Sequence, residues 1–254
     1  MTQIKIGVIS DLHTRHEEWF NKLQYDQWGH ELYSQWKDLD ILIFAGDCSS
    51  SGLFYEIKSF VEWFSKQPAK HKIMIAGNHD YGFEDIAKFD INVPHNPRLV
   101  PPTLEEIIPD NVIYLNDESI EVLGLNIWGS PIQPYFGGWA FNRFRSNGED
   151  IKNGIKQHWD LIPDNTDILI THGPPRGILD LLSPKFRRHG ENPHVGCDDL
   201  LQAISRVKPR INVFGHIHEG YGHVEQDGTH YFNASCLDDN YSTTNPPQFI
   251  TLDV

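Results

Sequence analysis

Five short segments, taken in chain order, carry side chains that can together hold two metal ions: Asp11-Leu12-His13, Gly46-Asp47, Gly77-Asn78-His79-Asp80, Thr171-His172-Gly173 and Gly215-His216-Ile217-His218. Every candidate donor is a nitrogen or an oxygen. Such a set excludes a thiolate centre and admits manganese, iron, zinc, nickel or magnesium. The chemistry it suggests is hydrolysis at phosphorus. Two divalent ions bring +4, and Asp11, Asp47 and a bridging hydroxide reduce the centre to about +1, which attracts a phosphate ester locally. Coordination lowers the pKa of bound water from 15.7 towards ~7, and paired ions clamp the oxygens of an in-line displacement. His79, beside Asn78, could protonate the leaving oxygen, because an imidazole titrates near working pH.

Apolar runs at Ile4 to Ile9, Ile41 to Ala45, Ile73 to Ala76, Ile168 to Thr171 and Ile211 to Phe214 read as strands buried on both faces. Asp11, Asp47, Asn78, His172 and His216 follow their carboxyl ends, where ligands of open α/β sheets gather. Asp11 and His13, two apart, would point to one side if the strand persisted that far, and His216 and His218 share the spacing. Gly46, Gly77, Gly173 and Gly215 permit tight turns and close backbone approach. Alone, each segment is ordinary: an aspartate after a strand caps a helix or makes a turn, and Asn78 suits a turn. In order, each after a strand, they form one constellation.

Helical spacing links Ile57, Phe60, Val61 and Phe64, and again Leu200, Leu201, Ile204 and Val207, with Pro68 and Pro209 as stops. Ile151, Ile155, Trp159 and Ile162 give a weaker stripe. Glu17 to Asp38 predicts one or two amphipathic helices broken near Trp28-Gly29. Asn92 to Pro102, with four prolines, reads as irregular, and Ser130 to Gly148 as a long aromatic loop. His230 to Ala234 and Phe249 to Leu252 read as strands.

The 254 residues suit a single domain spanning 1–254, with no linker dividing it. A formal charge of −14, from 21 Lys and Arg against 35 Asp and Glu, argues against a long nucleic acid as partner. Cys48, Cys197 and Cys236 follow no disulfide framework, which favours a reducing compartment. No apolar stretch approaches the ~20 residues that cross a bilayer, so the expectation is a soluble, cytoplasmic protein without a membrane partner. Cys48 reads as packing. Of the other histidines, His16, His30, His71, His95, His158, His189, His194 and His230 read as surface or core residues, with His223 closest to the constellation in sequence. Lys185, Arg187, Arg188 and His189 form a basic cluster that could hold a phosphate, and the Trp139 and Phe141 region could stack a base or pack.

The ordered set D-x-H, G-D, G-N-H-D, H and G-H-x-H resembles the signature of the calcineurin-like metallophosphoesterases. The resemblance implies a four-layer α/β/β/α sandwich with two mixed sheets flanked by helices. It implies that Asp11, His13 and His218 hold one ion, Asn78, His172 and His216 the other, that Asp47 bridges and that His79 is the acid. Further segments, Ile75-Ala76-Gly77-Asn78-His79, Thr171-His172-Gly173-Pro174-Pro175, Val213 to Gly222, Asn233-Ala234-Ser235 and Thr244-Asn245-Pro246-Pro247, resemble the metallophosphoesterase-domain-containing subgroup, which is related to class III cyclic-nucleotide phosphodiesterases. Gly46 to Gly52 lacks the acidic and arginine residues that protein serine/threonine phosphatases carry there. Glu17 to Asp38 is longer than in the subgroup and would shape the site's mouth or form an interface.

The expectation is therefore a binuclear phosphodiesterase acting on a small phosphodiester or nucleotide, such as a cyclic nucleotide, with two divalent ions, manganese foremost. A phosphomonoesterase or nucleotide pyrophosphohydrolase is the enzymatic alternative, and a metal-stabilised nucleotide-binding scaffold the non-enzymatic one.

Overall fold

The computed structural model describes residues 3–25, 27–84, 104–187 and 189–254. The apolar runs form the strands β1 (Gln3–Ile9), β2 (Ile41–Ala45), β3 (His71–Ile75), β9 (Ile168–Thr171) and β10 (Ile211–Phe214). Shorter or more polar segments add β4 (Ile113–Tyr114), β5 (Glu118–Val122), β6 (Leu125–Ser130), β7 (Gln133–Pro134), β8 (Asn142–Arg143), β11 (Gly222–Gln226), β12 (Thr229–Asn233) and β13 (Gln248–Asp253). Among the described residues the α-helices are α1 (His16–Gln24), α2 (His30–Lys37), α3 (Phe54–Ser65), α4 (Leu104–Ile107), α5 (Lys156–Trp159) and α6 (Asp198–Val207).

Two mixed sheets result, ordered β13-β1-β2-β3-β4 and β11-β12-β10-β9-β6-β5. In the first, β1 to β4 run parallel and β13 antiparallel to β1. In the second, β12, β10, β9 and β6 are parallel, with antiparallel β11 and β5 at the edges. Alternate residues explain why the runs are apolar throughout. Ile6, Val8, Ile41, Ile43, Ile73 and Ile75 face Ile127, Ile168, Ile170, Ile211 and Val213 in a core between the sheets. Their neighbours Ile9, Leu42, Phe44 and Met74 face outward beneath helices. There α3 lays Phe60 and Phe64 on Phe44, with ring centroids 4.3 and 6.1 Å apart, and α1 and α2 add Trp19 and Trp36, 5.6 Å apart. Trp159 of α5 and Leu200, Ile204 and Val207 of α6 cover the other sheet. This is the four-layer sandwich.

Two expectations change, and one hairpin was not foreseen. The stripe from Ile151 to Ile162 yields only the single turn of α5, because Asn153 takes a left-handed conformation and Ile155 donates to the Phe144 carbonyl instead. The segment from Ser130 to Gly148 is not structureless: β7 and β8 pair, with Gln133 opposite Asn142, and fold it back on itself. The hairpin β5–β6 lacks strong strand sequence and is set by its turn, where Leu123 and Gly124 both have positive φ (53° and 81°). Glu17 to Asp38 forms two helices parted at Gly29, as its pattern predicts. The expectation for Asn92 to Pro102 lies outside the described residues.

Candidate metal centre and substrate cleft

Each of the five segments lies at the carboxyl end of its strand, and the two sheets converge there. A parallel bridge between Ser10 and Ser235 joins the end of β1 to the end of β12. The first sheet presents Asp11, His13, Asp47 and Asn78, and the second His172, His216 and His218.

Donor atoms of Asp11, His13 and His218 lie within 4.8 Å of one another, as do those of Asp47, His172 and His216, and those of His13, Asp47 and His79. Asp47 Oδ2 stands 3.6 Å from His13 Nε2 and 3.3 Å from His172 Nε2, between the first two groups. Asn78 Oδ1, 2.9 Å from His172 Nε2, completes the second group. His218 Nε2 is 3.4 Å from both Asp11 Oδ1 and His13 Nε2. All seven residues predicted to hold metal thus sit in two adjoining nests.

The reason that Asp11 and His13 converge differs from strand alternation. β1 ends at Ile9, and Asp11, His13 and Thr14 have φ of 53°, 38° and 68°. Left-handed turns, not a persisting strand, aim both side chains inward. Asp47 (60°) and His216 (68°) share this conformation, which is uncommon outside glycine and concentrates at functional sites. Close approach needs glycine beside them: a Cβ on Gly215 would lie 1.9 Å from Asp11 Oδ2, and one on Gly77 2.3 Å from Asp47 Oδ1. Gly173 differs, since its nearest neighbour would be Gln133 Cβ at 3.8 Å. The expected steric need does not apply there.

The tautomers favour cations. His172 Nδ1 donates to the Ala45 carbonyl and His218 Nδ1 to that of Asp238, both at 2.9 Å, so each Nε2 faces its nest. Burial works against charge on His172, but the charge and hydrogen bond of Asp47, with the charge of Asp11, outweigh it and raise the imidazole to about 9. Both neighbours of its Nε2 accept, so in the metal-free chain a proton stands where a cation would bind. Burial lowers His13 to about 4 and His216 to about 3, leaving neutral rings with lone pairs for ligation. Burial raises Asp11 and Asp47, yet histidine neighbours, His218 for the first and His172 for the second, hold both carboxyls well below the usual range. Buried carboxylates, neutral imidazoles and a proton in a ligand position together fit two divalent cations.

His79 stands apart from this set. Its backbone N–H donates to Asp47 Oδ1 at 2.8 Å and its Nδ1 to the Ser50 carbonyl at 2.7 Å, so Nε2 is left open. Trp139 packs on the ring at 4.1 Å and His13 meets it edge-on at 4.6 Å.

Asp80 is the residue whose importance the sequence did not reveal. Fully buried, it accepts from the backbone N–H groups of Asp47, Cys48, Ser49 and Gly77, and from Ser49 Oγ at 2.6 Å. One carboxylate therefore ties the loop after β2 to the loop after β3. Its only signal was membership of Gly77-Asn78-His79-Asp80. Ser10 and Ser235, donating to Asp11 Oδ2 at 2.5 and 3.0 Å, were equally silent. Cys48 is packing, as expected: buried, it donates to Asp80, and burial holds its thiol well above the usual range.

Above the nests opens a cleft of about 430 Å³ walled by Tyr135, Phe136 and Trp139 on one side and Phe186 and Tyr241 on another. Phe141 is core rather than wall. Lys185 is no free phosphate site, because its ammonium binds the Asp239 carboxylate and Asn240 Oδ1, each at 2.9 Å; Arg188 lies outside the described residues. His223 belongs to none of these donor groups: on β11, it stacks on Phe232 and His230 of β12. His95 also lies outside the described residues. The Glu17 to Asp38 segment braces the chain just after Tyr241, since Trp19 Nε1 and Lys22 Nζ of α1 donate to the carbonyls of Asn245 and Thr243 at 2.8 and 2.6 Å.

A sandwich of two mixed sheets with these nests at one end is the architecture of metallophosphoesterases, and the chain belongs to the calcineurin-like phosphoesterase family, whose sequence model matches residues 4–220. It is 44% identical over 222 residues to human metallophosphoesterase domain-containing protein 1, covering 84% of this chain and 64% of that protein. It is 34% identical over 230 residues to a UPF0046 protein of Caenorhabditis elegans, covering 85% of this chain and 55% of that one. The chain thus spans a little under two thirds of the human relative's length. In fold it is similar to the solved structure of TT1561 of Thermus thermophilus, with a TM-score of 0.52 at 11% identity, covering 91% of this chain and 89% of that one.

Proposed function

We propose that the chain is a binuclear metal-dependent phosphodiesterase for small phosphodiesters, with cyclic nucleotides the leading candidates. The observation that carries this reading is Asp47 shared between two nitrogen- and oxygen-donor nests, with His79 Nε2 left open beside it. Asp11, His13 and His218 would hold one cation, Asn78, His172 and His216 the other, and Asp47 both. When bound, the cations supply an activated water nucleophile and Lewis-acid stabilisation of the phosphoryl oxygens. The remaining step falls to the chain. With Nδ1 donating to Ser50, His79 can deliver a proton only from Nε2, as an imidazolium, to the leaving oxygen. Asp47 accepts from the His79 backbone, and the Ser50 carbonyl and Trp139 keep the ring in place.

Charge favours a diester. A centre near +1 matches a monoanion, and Arg145, the one Lys or Arg lining the cleft among the described residues, already donates to the Gly196 and Val195 carbonyls at 2.8 and 2.7 Å. A dianionic monoester would find little further positive charge. Manganese-loaded protein is expected to turn over bis-aryl phosphate faster than mono-aryl phosphate and to open 2′,3′- or 3′,5′-cyclic nucleotides. Turnover confined to the monoester would replace this reading with a phosphomonoesterase, and no turnover of any phosphate ester would refute an enzyme.

We place the protein in a reducing compartment, the cytoplasm, as one domain whose two sheets share the site. Three free, buried cysteines support the compartment. Among the described residues no helix is long and apolar enough to cross a membrane.

A further inference from the structure

Tyr241 occupies an improbable position. Its φ is 61°, a region that a bulky aromatic residue rarely enters, and such outliers persist only where surrounding structure imposes them. Here the imposing structure is a closed loop around Asp238. The Asp238 N–H donates to the Ser242 carbonyl, its Oδ1 accepts from the N–H groups of Asn240 and Ser242 at 2.8 and 2.9 Å, and its carbonyl accepts from the Tyr241 N–H at 2.9 Å.

That same carbonyl accepts from His218 Nδ1. One oxygen thus orients a candidate metal ligand and fixes the tyrosine. The phenol ring meets His13 at 5.0 Å and His218 at 5.1 Å, edge-on to both. It lines the cleft and is 43% exposed. Tyr81 donates its hydroxyl to the Gly138 carbonyl and Tyr221 to that of Pro246, while Tyr135, also on the cleft wall, packs its ring on Phe144. The Tyr241 hydroxyl has no protein partner among the described residues.

We infer that Tyr241 is a substrate-contacting residue, whose hydroxyl donates a hydrogen bond to a non-bridging phosphoryl oxygen on the Asp11, His13 and His218 side of the cleft. This rests on reading the cleft as a phosphoryl site. It would add a second donor from the protein to His79, both rings meeting His13, and give the chain a way to bind phosphoryl oxygens that does not depend on Arg145. A phenol suits this role because it donates without adding charge.

The test is titration calorimetry of inorganic phosphate into the manganese-loaded 254-residue chain, comparing wild type with Tyr241→Phe, alongside metal content and thermal melting. The expected result is two metals per chain, an unchanged melt and phosphate affinity about tenfold weaker in the variant, with kcat on bis-aryl phosphate lowered by a similar factor. Unchanged phosphate affinity, or no phosphate binding by wild type, overturns the inference. So does loss of metal in Tyr241→Phe, which would make the residue a brace for His13 and His218. Phosphate binding that weakens in the variant while wild type cleaves no diester would uphold Tyr241 and overturn the proposed activity instead.

Discussion

Within the site, residues a few ångströms apart have separable tasks. His79 touches the nests only through Asp47 and the edge of His13, whereas Asp47 lies between them. His79→Ala is therefore expected to keep both metals and lose about 10²-fold or more in kcat, the usual scale for a positioned acid. Asp47→Asn, which removes the shared charge, is expected to lose metal as well as activity. Metal analysis beside turnover checks both, and wild-type metal content in the second variant would refute the bridging role. Asp80 illustrates a different task. Burial raises its pKa, with Asp47 adding to the effect, yet four backbone N–H groups and Ser49 converge on it. Its contribution is to fix two loops, and it contributes no ligand.

Among the elements, strand ends and their turns do the positioning. β1, β2, β3, β9 and β10 stop within three residues of a ligand, and left-handed backbone at Asp11, His13, Asp47 and His216 then redirects the side chain. The tightest contact is at Gly215, where a Cβ would overlap Asp11 Oδ2. Gly215→Ala is expected to displace Asp11 and lower metal affinity at least tenfold, while Gly173→Ala, whose Cβ would make only ordinary contacts at 3.8 and 4.0 Å, leaves affinity within twofold. Equal affinities measured for the two variants would show that the loop after β10 yields freely. The α1 segment acts over a longer reach. By donating to the carbonyls of Thr243 and Asn245 it supports the chain that follows Tyr241.

For the molecule as a whole, metal and proton compete for the same seam between sheets. The pKa of His172 is raised to about 9 above an ordinary 6.5, so in metal-free protein its stabilising contribution is full below pH 6.5 and lost as pH rises through about 9. Asp11 and Asp47, held low, stabilise above about pH 4, and that contribution is lost as pH falls through their depressed values. A divalent cation bound there must displace the His172 proton, so the affinity measured with manganese is expected to rise from pH 6 to 9 with proton release. At a hundredfold excess over the dissociation constant the gain is about 2.7 kcal/mol, which for a chain of this size raises the melting temperature by roughly 5–10 °C. Calorimetric melts across that pH range check this, and a metal increment that shrinks with rising pH would contradict it.

The amino-acid sequence by itself determined which residues could ligate and which strands would be buried. Continuous apolar runs such as Ile41 to Ala45 have no polar face to give to water, and nitrogen and oxygen donors after such runs are legible as a list. The helices around Phe60 and Leu200 were legible for the same reason, since burial imposes a local period. What the tertiary structure alone decided is how these residues are brought together and what holds them. The left-handed turns at Asp11 and His13 close against the Gly46 and Asp47 carbonyls of another strand's end. The Asp80 clasp, the Ser235 hydroxyl on Asp11 and the Asp238 carbonyl that orients both His218 and Tyr241 join segments as much as 224 residues apart. Such contacts leave no local period, because a hydrogen bond across sheets constrains position in space and asks almost nothing of neighbouring residues in the chain.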